Sequence, residues 1–171
     1  MEPDVVSGGA AGFFKIERQG LHCEAMAIYV NDSYFIEFDM NIRSNLDIVR
    51  ATYEGNSEDN GRNLLAALAP DAEWTEAAGF PYAGTYIGPQ AIVENVFKRL
   101  GGEWDGYRAA VDRYFVDGEH VVAQGFYHGA YRATGKSFTA SFAHVYTLRD
   151  GKIVKFEQIV DSAKVWEAMR P

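Results

Sequence analysis

The sequence is nearly free of cysteine and has no recognisable set of metal ligands. Its single cysteine, Cys23, cannot form a disulfide within the chain. This scarcity is typical of a reducing compartment, so we expect a cytoplasmic location. The histidines do not have the spacing of metal ligands, and the sequence therefore predicts no metal site. There are four of them: His22, His120, His128 and His144.

Basic residues are also scarce. The chain has 16 Lys and Arg against 24 Asp and Glu, a formal net charge of −8 and a pI near 5.0. A protein this acidic is poorly suited to bind nucleic acid or an anionic membrane. No apolar run is long enough to cross a bilayer, and the start, MEPDVVSGGAAGFF, lacks the basic segment of a secretory signal. No glycine-rich loop has the phosphate-binding form, and we expect no cofactor.

What the sequence does contain is enough apolar material for one domain. Of its 171 residues 47% are hydrophobic and 14% aromatic, so the chain can bury about two-thirds of its unfolded surface.

Residues 1–42 differ in character from residues 43–171. Within them VSGGAAG is typical of a loop, and AMAIYVNDSYFIEF predicts two short strands. We expect an appended extension without a catalytic role, or a natural start at Met40.

From Ser44 the pattern becomes regular. SNLD has the form of a helix cap, Ser57 can cap a second helix, and Pro89 suits the first turn of a third. Between them DAEWTEA predicts a short strand. We expect the Asp161-Ser162 junction to cap a short last helix.

The second half of the chain alternates in the manner of long strands. VDGEH, ATGKS and RDGKI each place a turn between alternating runs, which predicts antiparallel strands over about 106–116, 119–133, 136–149 and 152–161. Strands of this length cannot stay flat, and Gly125 and Gly129 would allow a sharp bend or bulge. Helices followed by a bent sheet predict an α+β fold, with a cone-shaped antiparallel or mixed sheet wrapped around the N-terminal helices and enclosing a pocket.

The turn at Asp150-Gly151 decides which side chains face that pocket. A two-residue turn would place His144 beside Glu157. A three-residue turn would place His144 beside Phe156 and is favoured here, because Asp-Gly-Lys suits a type I turn followed by a left-handed glycine. It also gathers Phe142, Tyr146 and Leu148 on the side of His144. A similar turn at ATGKS would bring Phe126 and His128 to the interior.

Four segments carry a resemblance to a known superfamily: LAALAPDAEWTE, the surroundings of GTYIGPQAI, HVYTLRDGKI and the final VD. From about Ser44 onward the chain resembles ketosteroid isomerases, SnoaL-type polyketide cyclases and limonene epoxide hydrolases. The resemblance implies their cone-shaped α+β barrel. Their fold serves several reactions, so the resemblance is specific for the fold and weak for the chemistry.

The resemblance transfers unevenly to individual residues. Glu76 matches the general base of the isomerases. With one residue removed from the turn, His144 matches their oxyanion donor, and it also matches a histidine of the cyclases. Tyr53 lies about half a turn from the isomerase tyrosine. The acid that cyclases and epoxide hydrolases use falls at Gln158, which cannot accept a proton near neutral pH.

These features predict an enzyme that moves protons on a hydrophobic, carbonyl-bearing small molecule, as in isomerisation, cyclisation or dehydration. Glu76 would be the base, with its pKa raised by aromatic surroundings, and His144 the electrophilic acid. His128 is a further catalytic candidate. The expected substrate-binding residues are Gln158, Trp74, Tyr53, Tyr82, Phe126, Phe142, Tyr146 and Phe156.

A second interpretation is a non-catalytic small-ligand-binding or dimerisation module of the same fold. The amide at Gln158 favours it, because a carboxylate is missing where catalysis would use one. Under either interpretation the resemblance implies a homodimer that covers the outer face of the sheet. The expected ligand is the same hydrophobic small molecule.

Overall fold

A computed structural model describes residues 12–13, 25–30, 33–38 and 44–171. The chain divides into two compact units, 1–42 and 43–171. In the first unit β1 (Gly12–Phe13), β2 (Ala25–Val30) and β3 (Ser33–Phe38) form an antiparallel sheet. The two strands predicted in AMAIYVNDSYFIEF are confirmed. Met40 and the predicted loop at 6–12, apart from its last residue, lie outside the described residues.

The second unit begins with two short helices, α1 (Asn45–Arg50) and α2 (Ser57–Ala67). The predicted cap of α1 is confirmed, since the Ser44 side chain accepts a hydrogen bond from the backbone N–H of Asp47 at 3.1 Å. The cap of α2 is Asn56 rather than Ser57. Asn56 has extended dihedrals and accepts from the N–H of Asp59 at 2.9 Å. Asparagine caps helices as well as serine does, so the helix begins one residue earlier than predicted.

The remaining helices flank the long strands. Helix α3 (Gly88–Ile92) has Pro89 in its first turn, as predicted, and continues through a π-helical segment (Val93–Phe97) into α4 (Lys98–Glu103). Helix α5 (Ser162–Met169) follows the last strand. Asp161 occupies its N-cap position, but its side chain makes no capping hydrogen bond.

Six strands form one mixed sheet in the order β5-β4-β9-β8-β7-β6. All neighbours are antiparallel except β4 and β9, which are parallel. The sheet is curved but open, with β5 and β6 at its edges, and this confirms the α+β class. The strands are β4 (Leu68–Glu76), β5 (Gly84–Ile87), β6 (Trp104–Asp117), β7 (His120–Tyr131), β8 (Ser137–Arg149) and β9 (Lys152–Val160).

The bend predicted at Gly125 is present. The pairing of β6 with β7 shifts between Val111 and Arg113, opposite Gly125 and its neighbour. A Cβ atom on Gly125 would lie 1.9 Å from the carbonyl oxygen of Ala110, a distance that no side chain tolerates. The bulge therefore requires glycine at this position, because only glycine lets the two backbones approach so closely.

One face of the sheet packs against the helices and forms the core. Near α1 and α3, Val49 and Ile92 pack in a cluster with Tyr146 and Phe156. Near α5, Val165 packs in a second cluster that includes Tyr127, Phe142 and Trp104. This helix-facing side is called the inner face below. It places aromatic rings around the few polar side chains that it buries.

Gly125→Ala is expected to lower the free energy of unfolding by about 1–3 kcal/mol or more, because the new methyl group collides with backbone rather than with a movable side chain. Gly101→Ala is the matched control: nothing lies within 4 Å of its added Cβ, and alanine favours the helix there. Urea denaturation measures both. Equal stability of the two variants would contradict the bulge.

Candidate functional site

The β8–β9 turn differs from the one that the sequence favours. Arg149 pairs with Lys152, so the turn has two residues, and both have positive φ (48° at Asp150 and 70° at Gly151). The preferred three-residue turn is therefore wrong and the two-residue alternative is right at the turn itself. Asp-Gly is well suited to a two-residue turn with positive φ at both positions.

A bulge beyond the turn changes the pairing again. Leu148 pairs with Ile153 but Thr147 pairs with Lys155, which leaves Val154 unpaired. His144 consequently lies opposite Gln158, and neither Phe156 nor Glu157 is its partner. The bulge adds one residue to β9 and so shifts the pairing by one. As a result His144 and Gln158 face the same side of the sheet, as the three-residue turn predicted.

The predicted face of β8 and β9 is therefore right although the predicted pairs are not. Residues that alternate along the two strands are buried together on the inner face, with exposed fractions of 1–7%. They are Phe142, His144, Tyr146, Phe156 and Gln158.

The predicted inward orientation of Phe126 and His128 is wrong. Phe126 is 42% exposed, and His128 Nδ1 lies 3.2 Å from the Thr139 hydroxyl in an exposed position. Ala123 pairs with His144, so the β7–β8 register differs by one residue from the expected one and exchanges the two faces.

Tyr127 takes the inner position instead, and sequence reasoning missed it. It lies between Gly125 and Gly129 in the alternation of β7, so both neighbours on its face lack side chains. This pattern of a tyrosine between two glycines was the available signal, because it leaves room for an inward ring.

His144 is hydrogen-bonded through both of its ring nitrogens. Nδ1 lies 2.6 Å from the Tyr53 hydroxyl, and Nε2 contacts the Tyr127 hydroxyl. The Phe142 ring stacks on the imidazole with centroids 4.2 Å apart. Burial lowers the pKa of His144 to about 3, so the ring is neutral at physiological pH. A neutral imidazole can donate one hydrogen bond and accept another, but it is not a charged acid.

The hydrogen bonds continue on both sides of His144. The Tyr53 hydroxyl contacts the Tyr146 hydroxyl. On the other side Gln158 Nε2 donates to the Tyr127 hydroxyl at 3.0 Å, while Gln158 Oε1 accepts from the backbone N–H of Ala77 at 3.2 Å. Four residues predicted for the site thus lie in one hydrogen-bond chain: Tyr53, His144, Tyr146 and Gln158. Tyr127, which was not predicted, joins Gln158 to His144 within it.

Glu76 ends β4 on the same inner face and is only 4% exposed. Its Oε1 accepts a hydrogen bond from Trp74 Nε1 at 2.7 Å, whereas its Oε2 is buried without a partner. Burial raises the pKa of the carboxyl to about 7, and the Trp74 bond opposes that rise. Near neutral pH Glu76 therefore exists in both protonation states, with one oxygen free to take or give a proton.

Aromatic rings cover the rest of the inner face. Trp74 stacks on Phe156 with centroids 3.5 Å apart. Tyr82 is buried too, but its hydroxyl donates to Glu103 at 2.9 Å and accepts from Trp104 Nε1 at 2.7 Å, which ties it to the end of α4. The rings contact one another, so a ligand must displace some of them to reach His144.

Two surface concavities lie elsewhere in the described part of the chain. One of about 560 Å³ includes Asp47, Glu54 and Asp59, and one of about 390 Å³ includes Lys136 and Lys164. Neither concavity is lined by a residue of the hydrogen-bond chain around His144. Among the described residues no group of three His, Cys, Asp or Glu side chains converges as metal ligands would. None of the helices in those parts is long and apolar enough to span a bilayer.

The fold agrees with what sequence comparison finds. The SnoaL-like domain matches residues 49–156, which is more than half of the chain. The chain belongs to the SnoaL-like family. No curated protein matches it.

Solved structures include several similar proteins of the NTF2-like fold. An NTF2-like protein from Burkholderia thailandensis E264 is 46% identical, with a TM-score of 0.72; the match covers 76% of this chain and 100% of that one. An NTF2-like protein of unknown function from Burkholderia pseudomallei K96243 is 28% identical, with a TM-score of 0.68 and the same coverage. TerC, co-crystallised with polyporic acid, is 27% identical, with a TM-score of 0.65, 73% coverage of this chain and 97% of its own.

The raised pKa of Glu76 predicts a pH-dependent stability. As the pH rises, the unfolded carboxyl ionises first, near 4.5, and the folded one only near 7, so folded-state stability is lost across this interval. At about 1.4 kcal/mol per pKa unit the loss is roughly 3 kcal/mol. Glu76→Gln has no carboxyl at this position and so lacks this pH-dependent loss. The free energy of unfolding of the variant, minus that of the wild type, should therefore be roughly 3 kcal/mol larger at about pH 8 than at about pH 4.

Urea denaturation at both pH values measures this difference, and subtracting the wild type cancels the titration of His144. Glu73→Gln is the matched control, because Glu73 is exposed on the same strand. A difference between Glu76→Gln and wild type that does not change with pH would contradict the raised pKa.

Proposed function

We propose that this protein is a cofactor-independent enzyme that transfers protons on a hydrophobic, carbonyl-bearing small molecule, in an isomerisation, cyclisation or dehydration. The observation that carries the proposal is the buried carboxyl of Glu76, whose Oε2 has no partner although it is shielded from water. A buried polar atom without a partner is costly to keep, and a role in chemistry explains why it is kept.

Glu76 is the proposed general base. Its pKa of about 7 is near the value at which a base is both available and strong enough to abstract a proton from carbon next to a carbonyl. Trp74 holds Oε1, so Oε2 is the oxygen that accepts the proton and later returns it. Transfer within the apolar setting leaves Glu76 neutral, which its burial favours.

The negative charge that develops on the substrate oxygen needs a hydrogen-bond donor. His144 is the proposed donor and acts as a neutral imidazole. Donors fixed in a dry site stabilise a developing oxyanion more than water does. Both nitrogens are already bonded, so the substrate oxygen has to take the place of one tyrosine hydroxyl.

The supporting residues are assigned from their places on the inner face. Trp74, Phe142, Tyr146 and Phe156 supply apolar contacts, and Tyr53 and Gln158 act through the hydrogen-bond chain. Tyr82 supports the wall from α4. His128 and Phe126 are left out, because they lie on the opposite face of β7. TerC, which was co-crystallised with polyporic acid, supports a small organic ligand for a domain of this fold.

Deuterium exchange at the carbon next to a carbonyl tests the base without knowledge of the natural substrate. A panel of cyclic ketones and aromatic hydroxy-ketones is incubated with the protein in deuterated water and followed by NMR. For any compound that the wild type exchanges, Glu76→Gln should lower the rate about 10²–10⁴-fold. Glu73→Gln should leave it unchanged. Exchange by Glu76→Gln at the wild-type rate would refute the proposed base.

A ligand-binding module without catalysis is the alternative. Two observations favour it: position 158 is an amide, and both nitrogens of His144 are satisfied within the protein. The same panel separates the two functions. A compound that binds tightly, shown by quenching of tryptophan fluorescence, but is never exchanged faster than in buffer would support the binding module.

A homodimer completes the proposal, together with a cytoplasmic location. The outer face of the sheet carries exposed apolar side chains, with Ile159 61% and Phe126 42% exposed beside the small residues Ala143 and Ser141. Small and apolar residues on one sheet face suit a second copy of the chain. Light scattering of the purified protein should give twice the mass of the chain, and a monomer mass would contradict it.

A further inference from the structure

The hydrogen bonds of Gln158 have a fixed direction. Its Oε1 faces the backbone N–H of Ala77, which can only donate, at 3.2 Å. The other end of the amide, Nε2, therefore faces the Tyr127 hydroxyl at 3.0 Å, and an amide nitrogen can only donate. The strand β4 thus sets the orientation of the amide, because Ala77 directly follows its last residue.

The Tyr127 hydroxyl links the Gln158 amide to His144. The Tyr127 oxygen receives the hydrogen of Gln158, so its own hydrogen is available for His144 Nε2. If the Tyr127 hydrogen goes to Nε2, that nitrogen is unprotonated, and the single ring proton of neutral His144 lies on Nδ1 and points at the Tyr53 oxygen, 2.6 Å away. In that arrangement Tyr53 donates to Tyr146.

We propose that Gln158 is a positioning residue that fixes His144 in the Nδ1-protonated tautomer and so aims the donor of the imidazole at Tyr53. The consequence for catalysis rests on the proposed function, whereas the tautomer does not. Tyr53 lies in the turn after α1, outside the sheet, whereas Tyr127 lies within β7. The substrate oxygen therefore takes the place of the Tyr53 hydroxyl and accepts the Nδ1 hydrogen.

The opposite arrangement is chemically possible and makes the proposal testable. If Nε2 carried the proton, the Tyr127 oxygen would accept from both His144 and Gln158. Its own hydrogen would then have to turn towards Tyr107, whose ring centroid lies 5.2 Å away. The two arrangements differ in one proton on one ring, which nitrogen NMR distinguishes.

The tautomer is read from long-range nitrogen–proton spectra of protein labelled in histidine, with the His144 signals identified from their loss in His144→Gln. The wild type should show Nδ1 protonated and Nε2 unprotonated. Gln158→Met removes the amide donor. The ratio of the Nδ1-protonated to the Nε2-protonated form should therefore fall by about tenfold, which corresponds to the loss of one neutral hydrogen bond. Gln124→Met, exposed on the outer face of β7, is the matched control and should leave the spectrum unchanged.

A protonated Nε2 in the wild type would overturn the proposal, and so would an unchanged tautomer in Gln158→Met. If Gln158→Met does not fold, Tyr127→Phe tests the same relay: it keeps the ring, removes the hydroxyl and should also abolish the preference for Nδ1. If Glu76→Gln exchanged deuterium at the wild-type rate, the proposed base would be refuted, but the tautomer result would still stand.

Discussion

The proposed chemistry depends on keeping one carboxyl out of water. Glu76 is buried at the end of β4 with a single hydrogen bond, from Trp74, and burial is the main cause of its raised pKa. Near neutral pH the carboxyl stands between its two charge states. The buried hydrogen-bond chain around His144 is neutral: His144 has lost its charge through burial, and burial raises the pKa of the tyrosines bonded to it. A site of this kind can exchange a proton with a ligand without holding a permanent charge.

The sheet makes this burial possible. Parallel pairing of β4 with β9 brings the end of one strand beside Gln158 of the other, and the amide bridges Ala77 to Tyr127. The bend at Gly125 brings β6 and β7 into close approach. Curvature, pairing and polar contacts therefore support one another, and Gly125 at the bulge lies two residues from Tyr127 on the same strand.

Much of this could be predicted from the sequence, and the errors have a common cause. Alternation along β8 and β9 placed His144 and Gln158 on one face correctly, although the pairs were shifted by the bulge at Val154. Bulges leave little trace in a single sequence. On β7 a one-residue difference in register exchanged Tyr127 with its neighbours, so Phe126 and His128 were assigned inward. Which residues are apolar is local information, whereas register depends on turns and long-range packing.

The most direct test of the account is the ionisation of the Glu76 carboxyl in the folded protein, followed by carbon NMR of glutamate-labelled protein and assigned with Glu76→Gln. The account predicts a midpoint of about 7, with the Trp74 indole proton shifting at the same pH. A midpoint near the ordinary 4.5 would mean that water reaches the carboxylate, and the proposed base would lose its physical foundation.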